Sequence, residues 1–128
     1  MSSLVTKRDR ALLLVLAIYI SCLEVFSLLP GGPEGAHRFR FSVSDPIANT
    51  LHFVVYAGLA WLLFQLIEAR YPRFGRTGLT TLAAATTIGV LNEVLQFLVP
   101  GRGVSFSDAL LNFAGVVSAV SIKVWKAA

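Results

Sequence analysis

Residues 47–67 read IANTLHFVVYAGLAWLLFQLI, 21 residues without one Asp, Glu, Lys or Arg. Wound as an α-helix at about 1.5 Å per residue, the run extends roughly 30 Å, the thickness of a bilayer's hydrocarbon core. That length and composition predict a membrane span, and the chain on either side reads the same way. Before it, an apolar run at 11–29 follows Lys7, Arg8, Asp9 and Arg10 and closes on Pro30-Gly31-Gly32-Pro33. After it come runs at 78–99 and 109–125, the last short enough to need tilt or anchoring at its ends. Length rather than periodicity carries these assignments, because a helix bordered by lipid and by other helices need show little amphipathic moment.

Composition points the same way. The chain is 55% apolar and 14% charged, against about 25% charged residues in ordinary soluble domains. Four spans and their loops use up 128 residues, so the expectation is one all-α membrane domain over residues 1–128, a compact bundle of four transmembrane helices. The first run is long for a cleavable signal peptide and lacks a small-x-small site before Pro30. Tyr19, three residues before Cys22, argues against a lipoprotein. A lone cysteine makes no internal disulfide, and no Cys and His spacing resembles a zinc site. The net charge of +4 does not indicate nucleic acid, since the basic residues flank apolar runs instead of covering a polar fold.

Orientation follows from the short loops, whose lysines and arginines favour the cytoplasm. Lys7, Arg8, Arg10, Arg70, Arg73, Arg76, Lys123 and Lys126 fall on one side, and Arg38, Arg40 and Arg102 on the other. Both termini are therefore expected in the cytoplasm, with the loops at 30–46 and 100–107 outside. Trp125, Tyr71 and Phe74 near the inner ends suit an interfacial aromatic belt.

Within the spans the polar residues gather toward the outer end. An ionisable side chain inside a span costs about 2.5–3.5 kcal/mol or more, so each is a functional candidate. Glu93 and Gln96 stand three apart with Asn92 beside them, and Gly89, one turn earlier, leaves room for close helix approach. Asp108, Asn112 and Gly115 share one face of the fourth span; Asn49, His52 and Tyr56 share one face of the second. Glu24 lies near the outer end of the first. Between the third and fourth spans, Gly101-Arg102-Gly103 is either an anion-holding nest or a tight turn with an interfacial anchor. His52 is either a hydrogen-bonded helix contact or, beside Glu93 or Asp108, a proton carrier. His37, Arg38 and Arg40 read as a solvated or head-group-facing patch. The threonines of the third span are expected to bond back to helix carbonyls. No nucleophile elbow, phosphate loop or metalloprotease motif occurs, and neither a metal nor a cofactor is expected.

One stretch carries a resemblance: Asn92-Glu93-Val-Leu-Gln96-Phe-Leu-Val-Pro100-Gly101-Arg102-Gly-Val-Ser105-Phe-Ser107-Asp108-Ala-Leu-Leu-Asn112-Phe-Ala-Gly115. Its Glu, Gln, Pro-Gly-Arg, Asp, Asn and Gly, in this register, resemble the signature of the VanZ-like family of small bacterial membrane proteins. His52-Phe53-Val-Val-Tyr56 is similar to the family's His-Phe-x-x-Tyr region, so the resemblance covers roughly residues 45–120. Ala48-Asn49 stand where many members carry Asp-Lys. The resemblance implies a multi-pass protein of the bacterial cytoplasmic membrane. The family is named for a protein associated with teicoplanin resistance and has no established biochemical activity.

Three readings follow. In the first, Asn49, His52, Tyr56, Glu93, Gln96, Arg102, Asp108 and Asn112 line an outward cavity for a lipid head group, a cell-wall intermediate or an amphiphilic drug such as a lipoglycopeptide. In the second, Glu93 or His52 is the acid or base of an enzyme acting on a lipid-linked substrate. In the third, the same groups only hold helices together.

Overall fold

The computed structural model describes residues 6–29, 46–71, 74–99 and 105–127. They form four α-helices: α1 Lys7–Ser27, α2 Pro46–Arg70, α3 Phe74–Phe97 and α4 Phe106–Ala127. At 21 to 25 residues each, the helices are about 32–38 Å long, and all four are long and apolar enough to cross a membrane.

Three helices begin earlier than the apolar runs do, because capping and not hydropathy decides where a helix starts. At α1, the Thr6 hydroxyl accepts from the Asp9 N–H at 3.1 Å and the Asp9 carboxylate accepts from the Thr6 N–H at 3.1 Å. This reciprocal box draws the charged residues 7–10 into the first turn. At α3, Thr77 donates to the Tyr71 carbonyl at 2.8 Å. At α4, the Ser105 hydroxyl accepts from the Asp108 N–H at 3.3 Å, so the fourth helix matches the others and is not the short span expected at 109–125. The end of α3 moves the other way. Leu98 and Val99 bond back three residues, to Leu95 and Gln96, the tighter winding common at a helix terminus.

With only residues 71–73 between them, α2 and α3 are antiparallel neighbours. The central helix is α2, which packs on each of the other three, and its contact with α4 is the most extensive. The core is built from Tyr56, Leu59, Ala60 and Leu63 of α2 with Ala85 of α3, Val116 and Ala119 of α4, and Leu16 of α1. α1 is peripheral: only Asp9 and Leu16 are buried along it, and Leu14, Ile18, Val25 and Phe26 are exposed. An apolar exterior of this kind suits lipid rather than water. What ties α1 to the bundle is Tyr19, whose hydroxyl donates to the Val55 carbonyl of α2 at 2.7 Å. At the end opposite the polar residues, the Lys123 ammonium lies 4.3 Å from the centre of the Trp61 ring, a cation–π contact joining α4 to α2.

Gly115 sets the α2–α4 separation. A β-carbon there would sit 2.2 Å from the Phe53 carbonyl oxygen and 3.1 Å from the Ala57 nitrogen. Both atoms belong to helical backbone, which cannot swing aside as a side chain could. Gly115→Ala is therefore expected to cost about 1–3 kcal/mol in a detergent unfolding titration. Gly75→Ala, where the added carbon meets nothing within 4 Å, should be neutral or stabilising by up to about 1 kcal/mol. Equal effects of the two substitutions would contradict the close packing.

Candidate functional site

At one end of the bundle the C-terminal turns of α1 and α3 meet the N-terminal turns of α2 and α4, and the polar residues of the spans converge there. Tyr56, Asn92, Glu93, Gln96, Asp108 and Asn112 are each 6% exposed or less. Groups so buried need partners, because an unmade hydrogen bond costs about 1–3 kcal/mol.

Three linked arrangements supply many of those partners. Between α1 and α3, Ser27 donates to the Asn92 side-chain oxygen at 2.6 Å and accepts from the Gln96 amide. Between α3 and the start of α4, the Glu93 carboxylate accepts from the Ser105 N–H at 3.3 Å. Ser105 is also the residue that caps α4, so Glu93 lies against a helix N-terminus, as does Asp108 in the first turn. The unpaired N–H groups there favour negative charge, which gives both carboxylates an electrostatic reason for their place.

The third arrangement joins α2 to α4. His52 Nδ1 lies 3.0 Å from the Asn112 side-chain oxygen, and His52 Nε2 lies 3.8 Å from an Asp108 carboxylate oxygen. An amide oxygen only accepts, so this contact places a proton on Nδ1. Nε2 then faces Asp108, as an acceptor when the ring is neutral or a second donor when it is charged. Of the two carboxylates expected beside His52, Asp108 is the one the structure pairs with it.

Tyr56 lies one turn beyond His52, its ring against Gly89, where an added β-carbon would come within 3.1 Å of a ring carbon. Its hydroxyl interacts with the Asn92 side chain. One oxygen each of Glu24 and Asp108 and the Asn112 amide nitrogen are buried and meet hydrogen-bond geometry with none of the described residues. Asn49 is half-buried near the start of α2. Arg102, His37, Arg38 and Arg40 lie outside the described residues.

Ser27 is the site residue that sequence reasoning missed. Its signal was its position three residues after Glu24, on the same face of α1, but serines at helix ends are too common for spacing alone to single one out. Among the threonines, Thr80 bonds back to the Arg76 carbonyl at 2.8 Å as expected, whereas Thr77 caps the preceding turn. The hydroxyls of Thr81 and Thr86 are buried without a partner among the described residues. Among the described residues no three His, Cys, Asp or Glu side chains are grouped to hold a metal ion.

Tyr56, Gly89, Asn112 and their neighbours enclose a void of about 20 Å³, room for about one water molecule. Alongside it, an open apolar groove of about 460 Å³ runs between α3 and α4 on the exterior.

Compared with known proteins, the chain matches a family model described as VanZ/LLP1 over residues 13–126. The match takes in most of α1, all of α2 and α3, α4 up to Lys126, and every residue of the polar cluster. No curated protein and no solved structure matches the chain.

Ser27 bridges two amides, so Ser27→Ala should leave both Asn92 and Gln96 short of a partner and lower the unfolding free energy by about 1–3 kcal/mol. Ser118→Ala, which removes only a hydroxyl bonded within its own helix, is the reference and should change little. A Ser27 variant as stable as that reference would contradict the α1–α3 bridge.

Proposed function

The chain belongs to the VanZ/LLP1 family, and on that footing we propose that this multi-pass membrane protein binds the polar head of an amphiphile at its polar end. The head would be a lipid head group, a cell-wall intermediate or an amphiphilic drug. One observation carries the reading: the cluster holds more buried hydrogen-bonding capacity than the described residues use. Glu24, Asp108 and Asn112 each keep a buried polar atom without a partner among those residues. Helix association alone needs no such surplus, since each bridge contributes about 0.6–2 kcal/mol only when it is made. The enclosed void holds about one water, too little for a head group, so in this reading the head group engages the cluster beside the helix termini and not from a deep cavity. The excess of Lys and Arg at the opposite end supports a polar end that faces outward from a bacterial cytoplasmic membrane.

A second reading, an enzyme acting on a lipid-linked substrate, draws support from His52. A ring whose Nδ1 is held by Asn112 presents Nε2 in a fixed direction beside Asp108, the arrangement general acid–base chemistry uses.

The two readings separate on Glu93→Gln and on Arg102→Ala. In a glycopeptide-sensitive bacterial host, at equal membrane abundance, the wild type is expected to raise the inhibitory concentration of teicoplanin more than that of vancomycin, and both variants to lose the protection. Binding measured on purified protein should weaken by roughly 10–100-fold in Glu93→Gln, the loss of one charged hydrogen bond. Loss of turnover by orders of magnitude at unchanged affinity would favour the enzyme. Variants that protect as well as the wild type would overturn a site at these residues.

A further inference from the structure

We propose that the groove between α3 and α4 seats one acyl chain of a membrane amphiphile whose polar head engages the neighbouring polar cluster; the inference rests on the binding reading above and adds the class of ligand. The groove is walled by Leu79, Leu82, Ala83, Thr86, Val90 and Phe113, among others. From Leu79 to Leu91 it follows α3 for about 18 Å, slightly more than half the hydrocarbon thickness of a bilayer. Its upper end reaches the turn that precedes Asn92 and Glu93. A chain lying in it would run from the polar end of the bundle toward the middle of the membrane, as the tail of a lipid in that leaflet does.

Two further observations select this occupant. The first is continuity. Thr86, Val90 and Phe113 line both the groove and the small void beside Tyr56 and Asn112, so only these side chains separate the apolar groove from the buried polar atoms. Asn112, 2% exposed, keeps its amide nitrogen without a partner among the described residues on the far side of that partition. The second is composition. Apart from Thr86 and Thr87, the residues lining the groove are apolar, a surface against which a hydrocarbon chain packs and a polar partner does not.

The test uses the full chain in vesicles of phosphatidylethanolamine and phosphatidylglycerol, with a trace of phosphatidylethanolamine carrying a photoreactive diazirine at the end of one acyl chain. The exposed face of α1, with Leu14, Ile18 and Val25, provides the baseline for ordinary lipid contact. After illumination and peptide mapping, labelling of the groove should exceed that baseline by about tenfold, the ratio that about 1.4 kcal/mol of preference produces. Ala83→Trp, which fills the groove from an exposed position, should return it to baseline at unchanged helicity and thermal midpoint.

Equal labelling of groove and α1 in the wild type would overturn the proposal. So would protein–protein cross-links from the groove that disappear in Ala83→Trp, since they would assign it to a second copy. Groove labelling that survives Asn112→Leu but not Ala83→Trp would uphold the acyl site and refute the head-group reading. Baseline labelling beside intact, Glu93-dependent protection would do the reverse.

Discussion

The approach of α4 to the backbone of α2 at Gly115 is the constraint on which the polar end depends. Phe53, whose carbonyl a β-carbon at Gly115 would strike, is the neighbour of His52, and Asn112 lies one turn before Gly115. Bringing these two backbones together therefore places His52 at 3.0 Å from Asn112 and 3.8 Å from Asp108. Any larger residue at 115 would separate α2 from α4 and pull that group apart. Beyond this contact the same two helices continue the core through Leu59, Leu63, Val116 and Ala119, and the Lys123–Trp61 contact closes the opposite end.

Inside hydrocarbon, polar groups cannot turn to water, so the bundle must satisfy its polar residues internally. α3 and α4 do this with one economical device. The cap of α4, Ser105, accepts the Asp108 N–H with its hydroxyl and donates its own N–H to Glu93, while the N-terminal turn of α4 offers a favourable field to both carboxylates. α1 joins through the hydrogen bonds of Tyr19 and Ser27 and through Leu16 in the core, with Ile20 and Leu23 packed against it. The atoms left over among the described residues, on Glu24, Asp108 and Asn112, are the part of the network that packing does not account for, and the binding reading is built on them.

Much of this was legible in the chain, for identifiable reasons. Span number and rough limits follow from bilayer thickness, which acts on every residue of a run at once. The shared faces of His52 with Tyr56, and of Asp108 with Asn112 and Gly115, follow from helical spacing, a local property. The partner of His52 was not legible. Choosing Asp108 over Glu93 requires knowing that α2 packs most closely on α4, and that is settled by the fit of surfaces distant in sequence. Helices α1 and α4 begin before their apolar runs because Thr6 and Ser105 cap them and draw charged or polar residues into the first turn. The peripheral place of α1 had no local signal at all, since its composition matches that of a buried span.

The central claim is that α2 and α4 bring His52 into a hydrogen bond with Asn112 and to within ion-pair distance of Asp108. It is tested most directly by ¹⁵N nuclear magnetic resonance on histidine-labelled protein in lipid vesicles, with His37→Gln to leave a single histidine. The account predicts a His52 ring protonated at Nδ1 whose Nδ1 signal shifts on Asn112→Leu. A neutral ring protonated at Nε2, with a spectrum indifferent to Asn112→Leu, would contradict it.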